Sequence, residues 1–307
     1  MVQAWGFGSY GGPEVQEFFD RPDPVPGRGE VLIRVDFAGV NPLDHLLRSG
    51  LVAGLDGGRP FPRVLGMEAA GTVLALGEDV DGLAVGDAVF GFAFTGGGTY
   101  AETTVLSAAN TARIPAGLSA TVEATLPVAG TTAVDALDQL GLPAGATVLV
   151  NGVGGGVGLA VARLALGREL RVIGTGSSAK REHAEAIGVR FIDYTAGDVV
   201  AAARELVPDG FDGIVDLVGG ASLRTVAPLA REPGNVIAVG DSSVPDLGGR
   251  FVERRLDREN LERSALLDLD GVLAPVITAV HPLADAPAAL ATVENGHASG
   301  KVVIEIA

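Results

Sequence analysis

The sequence predicts an α/β protein in two parts, a compact β barrel or sandwich and a doubly wound parallel sheet. Three observations carry that expectation. Short apolar runs set off by Gly and Pro fill the first third. Helical and strand periodicity alternate strictly from about Leu126. A glycine-rich loop lies directly between an apolar strand and a helix. The length of 307 residues allows about two domains and a sizeable core.

In the first third, residues 31–37, 71–77 and 86–91 read as short strands, with Pro24, Pro26, Gly27 and Gly39 as punctuation. Such spacing suits a small barrel or sandwich. Residues 129–140 then have helical spacing, and 147–150 form a continuous apolar run of the kind buried on both faces of a parallel sheet. Helices follow at 159–166 and 180–187, the second stopped by Gly188. Strands follow at 171–173, 191–192, 213–217 and 235–239. This alternation implies right-handed βαβ units. The tail reads strand 276–280, helix 284–293 and strand 301–306; periodicity leaves open whether it extends the sheet or returns to the first domain.

Composition removes several function classes. The chain is 47% hydrophobic and 20% charged, which excludes a disordered or collagen-like polymer. Its 38 acidic against 22 basic residues give a net charge of −16 with no basic stripe, so neither nucleic acid nor an anionic membrane is an expected partner. There is no cysteine, hence no disulfide, thiol nucleophile or cysteine zinc site. Four scattered histidines, His45, His183, His281 and His297, suggest no metal site. Residues 139–162 carry no charge, but their seven glycines and one proline read as loop, strand and helix start rather than a membrane span. No basic, apolar leader is apparent at the N-terminus, so a cytoplasmic location is expected.

The loop Asn151-Gly152-Val153-Gly154-Gly155-Gly156-Val157-Gly158 carries the chemistry. Glycines at 152, 155 and 158 permit a tight turn, close backbone approach to a pyrophosphate, and close packing of the helix on its strand. The helix N-terminus then offers amide hydrogens and partial positive charge to phosphates. An NAD site expects an acid roughly 20 residues further on, holding the ribose 2′-hydroxyl. The chain instead reads Gly174-Thr175-Gly176-Ser177-Ser178-Ala179-Lys180-Arg181, offering hydroxyls and two cations. A 2′-phosphate suits them, so NADP(H) is expected. The alternative is that both cations are solvated helix charges, against a dipole opposition of about 0.3–1 kcal/mol each.

At this point the sequence resembles the zinc-independent quinone oxidoreductase group of the medium-chain dehydrogenases/reductases. The likeness runs essentially end to end. It rests on Tyr10-Gly11-Gly12-Pro13-Glu14-Val15, Pro26-Gly27-Arg28-Gly29-Glu30-Val31, Gly39-Val40-Asn41-Pro42-Leu43-Asp44 and Gly66-Met67-Glu68-Ala69-Ala70-Gly71. Val85-Gly86-Asp87-Ala88-Val89-Phe90-Gly91, Gly97-Gly98-Thr99-Tyr100-Ala101-Glu102, the glycine turn and the closing Gly300-Lys301-Val302-Val303 complete it. The resemblance implies a GroES-like barrel from residues 1–122 and 270–307, a Rossmann domain inserted at 123–269, an active site in the cleft between them, and a homodimer. It also gives Met67 a meaning, since zinc-dependent relatives carry a histidine between that Gly and Glu. Without a Lewis acid, the acceptor must already be electrophilic, as quinones and α,β-unsaturated carbonyls are.

The resemblance further implies site residues. Asn41 would sit near nicotinamide and substrate, and Thr132 beside the nicotinamide half. Gly155, Gly156 and Val157 would hold the pyrophosphate. Ser177, Lys180 and Tyr194 would surround the 2′-phosphate, with Gly174 also among the cofactor-binding residues. Val218, Gly240, Asp241 and Ser242 would line the far side of the nicotinamide, with Lys301 nearby. No obligatory acid–base residue is implied. Asp44 is a candidate proton relay or an acid in a first helical turn; Tyr100 is a candidate donor to substrate oxygen or a barrel brace. Glu68, with no zinc to support, would accept backbone hydrogen bonds. Three features depart from relatives: Asp241 stands where a neutral amide is common, the charged segment 241–263 is short, and Leu51 and Val52 stand where some place a pocket tyrosine. Two rival readings remain. One is an enoyl-thioester reductase, with Arg250, Arg254, Arg255 and Arg258 as a basic channel. The other is a non-catalytic NADPH-binding redox sensor.

Overall fold

A computed structural model describes residues 1–56, 58–93, 97–296 and 298–307, with only the backbone described at 55 and 56. His297 lies outside the described residues. The chain divides into two compact units, residues 1–128 with 256–269 and 277–307, and residues 129–255 with 270–276.

The first unit opens with β1 (Val2–Phe7), β2 (Gln16–Arg21) and β3 (Glu30–Val40). Helix α1 (Pro42–Ser49) follows, then β4 (Arg63–Val64), β5 (Glu68–Leu76), β6 (Ala88–Phe92), β7 (Thr103–Ser107) and β8 (Thr111–Arg113), and the short α2 (Ala120–Glu123). Strands β2, β1 and β4 form one antiparallel sheet. The length of β3 lets it pair with β5 along its whole course and with β7 at its start. Alternation explains its placement: Val31, Ile33 and Val35 are buried while Arg34 between them is exposed. Those side chains join Trp5, Leu65, Val73, Val89, Tyr100 and Leu106 in one core. Each fully buried aliphatic side chain there contributes about 1.5–3 kcal/mol.

The second unit begins with α3 (Ala129–Leu140) and β9 (Thr147–Asn151), whose five residues are all buried. It continues through α4 (Gly156–Gly167), β10 (Arg171–Gly176), α5 (Arg181–Ala186), β11 (Arg190–Asp193) and α6 (Val199–Leu206). Asp198 caps α6, its carboxylate accepting the Val200 and Ala201 N–H groups at 2.8 and 3.2 Å. Then come β12 (Gly213–Asp216), α7 (Gly220–Val226), β13 (Val236–Ala238) and the edge strand β14 (Arg250–Phe251). All six strands run parallel in the order β11-β10-β9-β12-β13-β14. That is the doubly wound dinucleotide-binding order, with its crevice at the carboxyl ends of β9 and β12 where the order reverses.

The remainder is α8 (Arg258–Leu269), β15 (Ile277–Pro282), α9 (Ala286–Glu294) and β16 (Lys301–Glu305). β16 pairs antiparallel with β3, so the tail closes on the larger sheet of the first unit, in the order β15-β16-β3-β5-β6-β8. The unit boundaries differ from the expected 1–122, 123–269 and 270–307 at both ends of the insertion. Residues 123–128 stay with the first unit, where the Val128 N–H donates to buried Glu68 at 2.7 Å. Helix α8 does too, because the Arg258 guanidinium donates to the carbonyls of Ala108, Thr111 and Asp81. Among the described residues no helix is long and apolar enough to cross a membrane. The uncharged stretch 139–162 resolves into the end of α3, β9, the glycine loop and the start of α4.

Candidate functional site

The three fingerprint glycines of the second unit have three separate reasons to lack a side chain. Gly152 turns the chain with φ +90°. At Gly158 an added Cβ would lie 2.4 Å from the Gly152 carbonyl oxygen and 2.7 Å from Val153, so this glycine lets α4 pack on its loop. At Gly155 an added Cβ would find nothing nearer than 3.9 Å, and φ is an ordinary −83°. Nothing among the described residues requires a glycine there, so the space is kept for something else. Helix α4 has no side-chain cap, and the Gly156 and Val157 N–H groups have no acceptor among the described residues. Partly exposed amides at a helix start form a phosphate cradle.

Lys180 lies against this loop. A Cβ on Gly154 would come within 2.4–2.9 Å of Cβ, Cγ and Cδ of Lys180, so the lysine stem is laid directly over the turn. Its ammonium is half-buried with no anion beside it among the described residues, and burial lowers its pKa. Arg181, next in sequence, is instead occupied: it pairs with Glu185 at 2.8 Å and stacks on Phe191. Tyr194 follows β11 and is 56% exposed, Ser177 is partly exposed, and Gly174 is buried where a Cβ would strike Val153 at 2.5 Å.

The crevice is braced by groups the sequence reading did not single out. The Thr175 hydroxyl accepts from the Gly152 N–H at 3.1 Å and donates to Asn151 Oδ1 at 2.6 Å. Asn151 Nδ2 donates to Asp216 at 2.6 Å, and Asp216 accepts the Gly219 N–H at 2.8 Å. One polar chain thus ties together the ends of β10, β9 and β12. Burial pushes the Asp216 carboxyl up, against those hydrogen bonds. Their only sequence signal was position, at strand ends. Asp241 accepts from Ser243 and from the Gly220 N–H, which holds it down to about 2. It is an ionised cap joining the β13 exit to the start of α7. Val218 is 56% exposed, Gly240 opens onto empty space, Ser242 is exposed and Thr132 is buried in α3.

In the first unit the remaining candidates meet in one buried polar cluster. Lys301 Nζ donates to Glu68 Oε1 at 2.7 Å and to Asn41 Oδ1 at 2.8 Å, while Asn41 Nδ2 donates to the same Glu68 oxygen at 2.8 Å. Glu68 therefore accepts an ammonium as well as the Val128 N–H, where backbone donors alone were expected. The Asn41 N–H donates to Asp44 Oδ2 at 2.8 Å, which makes Asp44 the capping acid of α1. The Tyr100 hydroxyl donates to that oxygen at 2.7 Å, and Asp44 Oδ1 is buried without a partner. Burial pushes the Asp44 carboxyl up to about 6, opposed by the bonds from Tyr100 and Asn41. Burial, with Asp44 alongside, also raises the Tyr100 phenol well above its ordinary value. His45 is partly buried, with burial lowering its pKa.

The basic segment is internally engaged. Arg254 donates to Thr131 at 2.6 Å, Arg255 pairs with Asp135 and Asp138 at 2.9 and 3.0 Å, and Arg250 donates to two backbone carbonyls.

Comparison with known proteins agrees with this architecture. Residues 27–116 match the alcohol dehydrogenase GroES-like domain and residues 188–304 the zinc-binding dehydrogenase family. A 2-methylene-furan-3-one reductase of Solanum lycopersicum is 32% identical over 99% of this chain and 79% of its own length. The structure of a quinone oxidoreductase from Coxiella burnetii superposes with a TM-score of 0.92 at 28% identity, covering 100% of this chain and 99% of that one. A mycobacterial protein complexed with NADPH gives a TM-score of 0.88 at 28% identity, over 99% and 100% of the two chains.

The zinc in the second family's description does not fit these residues. The chain has no thiolate, Met67 offers only a thioether beside Glu68, and Glu68 is already neutralised by Lys301. No cluster of three or more His, Asp and Glu that could hold a metal occurs among the described residues.

Proposed function

The chain belongs to the quinone oxidoreductase-like group of the medium-chain dehydrogenase/reductase superfamily, and from that premise we propose that it is a metal-free, NADPH-dependent reductase of quinones or α,β-unsaturated carbonyls. The observation that carries the cofactor is the pairing of an open Gly155 face, and Gly156 and Val157 amides with no acceptor among the described residues, with a Lys180 ammonium that has no anion beside it among those residues. The amides suit the pyrophosphate; Lys180, with Ser177 three residues before it and Tyr194 held to the Gly176 carbonyl by its N–H at 3.1 Å, suits a 2′-phosphate. Bound NADPH supplies a hydride to an acceptor that is already electrophilic.

Thr132, Gly174, Val218, Gly240, Asp241 and Ser242 complete the nucleotide-binding set in this reading. Asp241 contributes as the cap that fixes the Gly219–Gly220 turn, and Gly174 by giving Val153 room beneath the loop. Asn41, Asp44, Tyr100 and Lys301 act by positioning. Their mutual hydrogen bonds hold the start of α1 in one geometry, and the proton that completes the reduction comes from water. The family resemblance also supports a homodimer. The exposed edge strand β14, with Phe251 44% exposed, is a surface on which such an assembly can form.

The test is NADPH oxidation at 340 nm against 1,4-benzoquinone, 9,10-phenanthrenequinone, a simple enone and crotonyl-CoA, with NADH in parallel. Turnover of quinones or enones with NADPH preferred is the expected result. Crotonyl-CoA as best acceptor would move the assignment to thioester reduction. Tight NADPH binding with no acceptor reduced would favour the sensor, and no binding of either nucleotide would remove the proposal.

A further inference from the structure

The nucleotide crevice of the second unit carries opposite charges at its two ends. The side that follows β10 holds Lys180, with no anion beside it among the described residues. The other side, at the ends of β12 and β13, holds two carboxylates. Asp216 is the last residue of β12, and Asp241 lies three residues beyond β13. They accept from adjacent donors of one turn, Asp216 from the Gly219 N–H at 2.8 Å and Asp241 from the Gly220 N–H at 2.6 Å. That turn touches the phosphate loop, since a Cβ on Gly152 would come within 2.8 Å of the Val218 side chain.

The hydrogen bonds leave both groups as anions. The Thr175 hydroxyl gives its one proton to Asn151 Oδ1, so the Asn151 amide turns Nδ2 toward Asp216. Each oxygen of buried Asp216 thus accepts from an N–H, an arrangement that suits a carboxylate and not an acid. The Gly220 and Ser243 N–H groups hold Asp241 in the same way. Neither carboxylate makes an ion pair among the described residues. Arg224 on α7 favours the Asp241 charge, but as the smallest of the influences on it. Burial, and more weakly the Asp241 charge, push the Asp216 carboxyl up, so the two anions feel each other.

A dinucleotide lies across such a crevice, one mononucleotide half on each side of the point where the strand order reverses. With the adenosine half beside Lys180, the other half lies over the ends of β12 and β13. There the nicotinamide ring is a cation in NADP+ and neutral in NADPH, so a negative field tells the two apart.

We propose that Asp216 and Asp241 make the crevice favour the oxidised nucleotide, and that they thereby strengthen bound NADPH as a hydride donor. The inference rests on the nucleotide-binding reading above and adds the oxidation state that the site prefers. In the step, C4 of the dihydronicotinamide gives hydride to the acceptor carbon and the ring is left positively charged. The reduced acceptor, an enolate or hydroquinone anion, takes its proton from water. Fixed carboxylates lower the energy of the ring cation as it forms. A tenfold preference for the oxidised form lowers the potential of the bound two-electron couple by about 30 mV.

The experiment is calorimetric titration of the whole protein with NADP+, NADPH and 2′-phospho-ADP-ribose, which lacks the ring. Wild type is compared with Asp216→Asn and Asp241→Asn. Each substitution is expected to raise the ratio of the NADP+ Kd to the NADPH Kd, by roughly threefold to tenfold at buried Asp216 and about twofold to threefold at partly exposed Asp241. The second shift should shrink in about 0.5 M salt and the first should not. The affinity for 2′-phospho-ADP-ribose should follow that for NADPH. Losses shared equally by all three ligands are what damage to the turn would cause. That result, or an unchanged or lower ratio, overturns the inference and leaves the nucleotide reading intact. Binding of none of the three by wild type removes both. If Asp216→Asn does not fold, Asp241→Asn decides alone, because an amide there still accepts the Gly220 N–H.

Discussion

Lys301 Nζ stands 2.7 Å from Glu68 Oε1 with both side chains withdrawn from water, one on β16 and the other on β5, across the intervening β3. A buried ion pair is weak evidence of net stabilisation, but breaking one half is costly because a charge is left without a partner. Lys301→Met is therefore expected to destabilise the protein by about 3–5 kcal/mol. Adding Glu68→Gln should recover much of that loss. Urea denaturation of the two single variants and the double variant measures the coupling. A loss below about 1 kcal/mol for Lys301→Met would show that the pair is not a structural keystone.

Gly155 and Gly158 belong to one motif but are predicted to fail differently. An alanine at 158 would press its Cβ to 2.4 Å from the Gly152 carbonyl oxygen, so Gly158→Ala should lower thermal stability measurably, by roughly 1–3 kcal/mol. An alanine at 155 meets ordinary backbone angles and open space. Gly155→Ala should leave Tm nearly unchanged and weaken NADPH binding by about tenfold or more, because the methyl group occupies room meant for phosphate. Paired calorimetry and nucleotide titration decide it. Equal behaviour of the two variants in both assays would refute the division of labour.

Lys180 and Arg181 make the next contrast. Lys180→Gln removes an ammonium with no anion beside it among the described residues while keeping part of the stem over Gly154, whereas Arg181→Gln removes a charge already shared with Glu185 and Phe191. The first should raise Kd for NADPH by roughly 10–100-fold with little change for NADH, consistent with the loss of one charge-assisted contact. The second should change either affinity by no more than a few-fold. Fluorescence titration of both nucleotides checks this, and an equal effect of Lys180→Gln on NADH would remove Lys180 from the 2′-phosphate.

What could be read from sequence was what local periodicity encodes. Helix Ala129–Leu140 and the run inside β9 lie where spacing puts them, and the glycine turn is visible because it needs three glycines at fixed offsets. Helix α8 was different. It follows the last Rossmann strand in the chain, and what draws it into the first unit is one guanidinium on carbonyls about 150 residues away, a contact with no local signature. Thr175 is similar, since its value lies in meeting Asn151 and Gly152 across the sheet. Adjacent Lys180 and Arg181 look alike in sequence and separate only when Glu185 and Phe191 are seen to take one of them.

Glu123, at the end of α2, supplies a prediction with a defined pH window. It is fully buried, neither carboxyl oxygen has a hydrogen-bond partner, and burial followed by repulsion from Asp268 pushes it from 4.5 up to about 8. A carboxyl whose folded pKa lies above its unfolded value holds its proton more tightly when folded. That preference is complete below pH 4.5 and is lost as pH rises through the window to about 8, each unit removing up to about 1.4 kcal/mol. Glu123→Gln keeps a buried polar group of similar size but cannot ionise. Wild type and variant should therefore have similar Tm values near pH 5, with the variant gaining steadily toward pH 8.5 and levelling off beyond. Calorimetry from pH 5 to 9 draws both curves. Parallel curves would mean that Glu123 ionises in the folded protein as readily as in the unfolded chain, through water or a cation reaching its carboxylate.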